Sequence, residues 1–186
     1  MSIAYVYKVC VIGNASVGKT STIIRWAKGW FRQDYLLTVG VQHYAKIFDI
    51  DHQGESVSIK LILWDFAGQD MFKEVRAKFY DGAKGLVLMC DITRKETFHA
   101  LPKWLQEASE NIGQEVPLVL VSNKADLPDK EVSVTEIKRY AKSLDAPCVI
   151  SSAKTGSNVQ DVFRLIGKRV HERRMNHTTS RHDTFR

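Results

Sequence analysis

The chain has 186 residues, of which 44% are apolar and 26% charged, the balance of a globular protein and not that of a disordered or membrane-filling one. The length suits one well-packed domain and falls short of two ordinary ones. The net charge of +6 belongs to one end: residues 164–186 hold seven Arg or Lys against Glu172 and Asp183, leaving +1 for everything before them, so no nucleic-acid partner is expected.

The first apolar run, 5–12, reads as a buried strand, and nothing before it has the charged start and long apolar core of a secretory signal. It leads into Gly13-Asn14-Ala15-Ser16-Val17-Gly18-Lys19-Thr20, followed by a helical pattern over 19–28. Runs 41–51 and 56–65 flank a short turn containing Gly54 and predict a hairpin, hence an antiparallel pair. A less regular stretch, 70–82, precedes a strand at 85–91, a helix at 96–111 with Pro102 in its first turns, a strand at 117–122, a helix at 134–144 and a strand at 147–150. The last helix, 158–174, is the clearest, with Val159, Val162, Phe163, Ile166 and Val170 on one stripe. Strands joined through helices are parallel with right-handed crossovers. The expected fold is therefore α/β: a six-stranded, mostly parallel, doubly wound sheet with one antiparallel edge strand, in one domain over 1–174. Residues 175–186 are expected to form a disordered basic tail, suited either to solvent or to transient contact with an anionic surface. No apolar run approaches membrane-spanning length. The three cysteines, Cys10, Cys90 and Cys148, each fall in or beside a strand, which suits a reducing, cytoplasmic setting.

A strand turning through glycines into a helix leaves several N–H groups facing one concavity, with the positive end of the helix dipole behind them, and an anion belongs there. Lys19 supplies a charge for outer phosphates, and the Thr20 hydroxyl is placed to ligate magnesium shared with them. The pattern G-x-x-x-x-G-K-[ST] does not name the base, since ATPases, nucleotide kinases and GTPases all use it. In doubly wound sheets ligands sit at the carboxyl ends of strands, and three more strands end in polar segments: Asp65-Phe66-Ala67-Gly68-Gln69, Asn123-Lys124-Ala125-Asp126 and Ser151-Ser152-Ala153-Lys154.

With D-x-A-G-Q, N-K-x-D and S-A-K following in that order, the chain resembles the small Ras-like GTPases over about residues 5–172, and most closely the Rab branch. The chemistry agrees: a carboxylate at Asp126 accepts two hydrogen bonds from guanine, whereas adenine has no such pair of donors. The resemblance implies GTP and GDP as ligands, with Mg2+ held by Thr20, Thr38 and, through water, Asp65. It places the loop residues Gly13, Asn14, Ala15, Ser16, Val17, Gly18, Lys19, Thr20 and Ser21 around the phosphates. It assigns Asn123 to the base edge, the Lys124 stem to the ring face, Ser152, Ala153 and Lys154 to the base loop, and Phe31 to an edgewise contact. Tyr35 and Thr38 belong to a first switch; Gly68 reaches the third phosphate and Gln69 orients the attacking water, with Lys19 neutralising charge.

The implied activity is slow hydrolysis of GTP, because no arginine is placed by the sequence as a built-in finger; an activating protein, an exchange factor and effectors are the implied partners. The alternative is a nucleotide-binding scaffold that no longer cycles. Departures from the relatives are Ala15 in place of glycine, His43 in an aromatic surface triad completed by Trp64 and Phe79, and no cysteine after Cys148 to carry a prenyl chain. Membrane contact is therefore expected to be transient or indirect, with the protein cytoplasmic or peripheral on a cytosolic membrane face.

Overall fold

The structure, a computed structural model, describes residues 5–31 and 37–182, with side chains as far as His177. Six strands form one sheet in the order β2-β3-β1-β4-β5-β6, from β1 (Tyr5–Ile12), β2 (Val41–His52), β3 (Glu55–Phe66), β4 (Gly85–Asp91), β5 (Leu118–Asn123) and β6 (Cys148–Ile150). All neighbours are parallel except β2 and β3, which pair antiparallel from Val41↔Phe66 to His52↔Glu55. The hairpin closes on Gln53 and Gly54, both at positive φ, 55° and 85°, the geometry whose twist matches that of the strands it joins. The expected sheet, with its antiparallel edge, is what forms.

Helices α1 (Lys19–Lys28) and α6 (Val159–His182) cover one face, and α4 (Leu101–Ile112) and α5 (Val134–Ser143) the other. Alternating strand residues divide the core accordingly. Val9, Val11, Ile23, Trp26, Phe163 and Ile166 pack on one side, with Trp26 stacked on Phe163 at 4.4 Å between ring centroids. Cys10, Ile12, Leu88, Trp104, Ala108 and Ile137 pack on the other.

The irregular 70–82 stretch resolves into a 3-10 turn, Asp70–Phe72, and the short helix α2, Lys73–Ala77. The single helix expected over 96–111 is two, α3 (Lys95–His99) and α4, meeting at Ala100, because Pro102 stands in the first turn of α4 where its missing N–H costs nothing. Helix α6 continues to His182, past the boundary expected at 174, so the first part of the segment expected as a tail is helical. Helix α5 begins with a capping box, Ser133 and Glu136 each bonding the other's backbone N–H, which satisfies two donors the helix itself cannot. Among the described residues no helix is long and apolar enough to cross a membrane.

Candidate functional site

The sheet delivers four strand-end segments to one end, after β1, β3, β5 and β6, and the first is the phosphate-type loop between β1 and α1. Gly18 caps α1 in the left-handed region at φ 96°, and a Cβ there would lie 2.2 Å from Asn123 Nδ2. Glycine is thus required twice, for conformation and for the approach of a second loop, whose Asn123 Nδ2 donates to Val17 O at 2.9 Å. Lys19 is buried, its ammonium donating back to Gly13 O and Asn14 O at 2.7 and 2.8 Å. Burial pushes the Lys19 ammonium down to about 8 against the pull of Asp65, with Arg76 and Arg94 adding to the depression.

Beside the lysine three side chains with oxygen donors, from three segments, converge. The Thr20 hydroxyl donates to Asp65 Oδ2 at 2.5 Å and lies 2.7 Å from the Thr38 hydroxyl. Burial raises the Asp65 carboxyl to about 6, against the Thr20 hydrogen bond and the Lys19 charge. Among the described residues its Oδ1 is buried with no hydrogen-bond partner, which is costly unless a cation or an ordered water completes it. Hard oxygen donors around an unsatisfied carboxylate fit magnesium.

The base-type loops lie across the cavity. Asn123 is central: its Oδ1 accepts from the Ala153 N–H at 3.0 Å and from the Ser151 hydroxyl at 3.4 Å. The Ala153 N–H is therefore engaged with Asn123 in this structure. Ser152 donates to Asp126 Oδ1 at 2.5 Å and aims the exposed carboxylate. Lys124, at φ 66°, pairs its ammonium with Asp91 Oδ2 at 2.6 Å. Arg25 holds the 153–154 segment from α1, donating to Ala153 O at 3.0 Å and to Lys154 O.

Between the loops is a cavity of about 530 Å³, of a size to hold a small-molecule ligand. Its wall includes Ala15 to Ser16, Gly18 to Ser21, Phe31, Thr38, Gly68, Gln69, Asn123, Lys124, Asp126 and 153–154. Gly13, Asn14, Val17, Asp65 and Ser152 are supports behind it, and Tyr35 lies outside the described residues. Ile24, Gln42, Tyr44 and Leu127 also line it; sequence reading missed them because apolar and edge-strand positions look like core or surface until the loops are folded around them.

The D-x-A-G-Q segment is wedged against the phosphate loop. A Cβ on Gly68 would lie 2.3 Å from the Ala15 nitrogen, so any larger residue would push the two segments apart. Arg76 of α2 is fully buried and donates to Ala67 O at 3.0 Å and Gln69 O at 2.6 Å while its fork meets Glu107 at 2.8 and 2.9 Å. The guanidinium also lies 4.5 Å from the Trp104 ring centre, and the Trp104 indole N–H donates to Asn14 Oδ1 at 2.6 Å. Loop, switch segment and α4 are thereby joined.

The triad expected between the switches is contiguous, with His43 to Trp64 at 5.7 Å and Trp64 to Phe79 at 5.4 Å between ring centroids. Lys8 covers the Trp64 ring at 4.3 Å, adding a cation to this face.

Comparison with known proteins agrees with this geometry. The family model described as Ras family matches residues 8–172. GTP-binding protein ypt1 of Schizosaccharomyces pombe is 33% identical over 175 residues, which cover 94% of this chain and 84% of that protein.

Proposed function

The chain belongs to the Ras family and stands close to its Rab branch, and from that premise we propose that it is a guanine-nucleotide switch which binds GTP and GDP with magnesium and hydrolyses GTP. The observation that carries the reading is the meeting of Thr20, Thr38 and Asp65 from three segments, with one Asp65 oxygen buried and unpaired among the described residues.

Each residue then has a task. The loop amides and Lys19 hold the phosphates, and the two carbonyl contacts of Lys19 keep its ammonium over the loop. Magnesium, when bound by Thr20 and Thr38 and by Asp65 through water, neutralises charge on the outer phosphates. Asp126, aimed by Ser152, accepts from the two guanine donors; with adenine it stays unsatisfied. Gln69, its backbone carbonyl held by Arg76, orients the attacking water with its side chain. Of the phosphates, Thr38 and Gly68 reach only the third, so hydrolysis removes their shared partner and lets both switches relax. Catalysis is positioning and charge neutralisation without a covalent intermediate.

An activating protein, an exchange factor and effectors are the partners this cycle needs, and the His43, Trp64 and Phe79 face is where effectors are proposed to dock. A role in membrane traffic follows from the Rab branch alone. The test is single-turnover hydrolysis by GTP-loaded protein. Slow conversion, on the order of 10⁻⁴ per second without an activator, is expected; GTP that stays intact over days identifies a scaffold that does not cycle.

A further inference from the structure

Arg94 lies between β4 and α3, outside every residue assigned above to phosphate, metal or base. Its Nε donates to Asp91 Oδ2 at 3.0 Å, and its Nη2 donates to the carbonyl oxygen of Ala15, in the phosphate loop, at 3.1 Å. The same Asp91 oxygen receives the Lys124 ammonium at 2.6 Å, while Asp91 Oδ1 accepts from the Thr93 N–H and hydroxyl at 3.0 and 2.7 Å. A buried carboxylate thus anchors two cations, one reaching the phosphate loop and the other belonging to the base loop. Burial alone would raise the Asp91 carboxyl, but Lys124 and Thr93 hold it below the usual range, so it stays charged.

Both ends of this relay carry a non-glycine residue in the left-handed region, Ser16 at φ 65° and Lys124 at φ 66°. Such a conformation is unfavourable for a residue with a Cβ and persists only where contacts enforce it. The Ala15 carbonyl belongs to the peptide that precedes Ser16. Because that peptide is trans, a carbonyl held by Arg94 turns the Ser16 N–H to the opposite side, and Ser16 lines the cavity.

We propose that Arg94 is a positioning residue that ties the phosphate loop to the base loop through Asp91 and Lys124 and thereby slows nucleotide release. The inference rests on the guanine-nucleotide reading. It differs from an ordinary surface ion pair, which contributes little, because one partner is a buried carboxylate and the other a backbone carbonyl. The remaining contact, Arg94 Nη1 to the exposed Glu96 at 3.8 Å, is of the surface kind and serves as the control.

The test loads fluorescent GDP with magnesium onto the full chain and onto Arg94→Ala, Arg94→Lys and Glu96→Ala, then chases with unlabelled GDP. Arg94→Ala is expected to release nucleotide about tenfold faster with an unchanged association rate. Arg94→Lys keeps the charge but lacks the fork that spans Asp91 and Ala15, so its release also stays at least about fivefold fast. Glu96→Ala releases within about twofold of wild type. Arg94→Ala that releases at the wild-type rate, even if it melts earlier, overturns the clamp, and so does full rescue by Arg94→Lys. A wild-type chain that retains no labelled GDP overturns the nucleotide reading and the clamp with it, whereas normal retention in both chains overturns the clamp alone.

Discussion

Thr20 donates its hydroxyl to Asp65 Oδ2 across 2.5 Å, and the other oxygen of that carboxylate is buried without a partner among the described residues. The proposed magnesium, shared with the nucleotide phosphates, would resolve this imbalance. Asp65→Asn is expected to weaken magnesium binding by about 10–100-fold, as loss of an outer ligand contact does. Measured by GDP release against magnesium concentration, the variant should need correspondingly more metal to retain nucleotide. Equal metal dependence would remove Asp65 from the metal's surroundings.

Gln69 faces the cavity with its carbonyl fixed by Arg76 at 2.6 Å. In single turnover Gln69→Leu should slow hydrolysis at least about tenfold, or about 1.4 kcal/mol of barrier, while GTP and GDP affinities hold. Unchanged hydrolysis would show that another group orients the water.

The Arg76–Glu107 pair is buried on both sides and is further bonded by Tyr80, whose hydroxyl donates to Glu107 Oε1 at 3.0 Å. Glu107→Ala strands a buried guanidinium and should cost about 3–5 kcal/mol in denaturant unfolding. A loss below about 1 kcal/mol would mean that water replaces the carboxylate freely.

His171 is buried against Tyr7, with 2.9 Å between the hydroxyl and Nδ1. Burial, then the charges of His52 and Arg174, holds the imidazole below its ordinary 6.5, with Glu172 opposing. The folded form thus binds fewer protons than the unfolded chain just below pH 6.5, and this contribution to stability is complete above that pH and lost as pH falls toward the folded value. His171→Gln should therefore lose less Tm between pH 7 and pH 5 than wild type does; parallel losses would contradict the assignment.

The sheet, the phosphate loop and the base loops were legible because each is local: a strand end followed by a few residues whose chemistry is nearly sufficient by itself. Asp126 and Lys19 could be given proposed roles without knowing what surrounds them. Arg76 could not, since its partners Glu107 and Trp104 lie on another helix and a fully buried arginine in an irregular segment reads as surface. Asp91 and Arg94 follow a strand end as well, where the same rule directs attention, but a lone D-I-T-R carries no chemistry until Lys124 and Ala15 are brought beside it. Pro102 marks the first turns of a helix, but that the segment is two helices meeting at Ala100 is visible only in the structure.

The central claim is that the cavity between Lys19 and Asp126 holds a guanine nucleotide. The most direct measurement is to denature the purified protein and identify the released nucleotide by chromatography. The account predicts GDP or GTP, bound near one per chain, and adenine nucleotide in that position would contradict it.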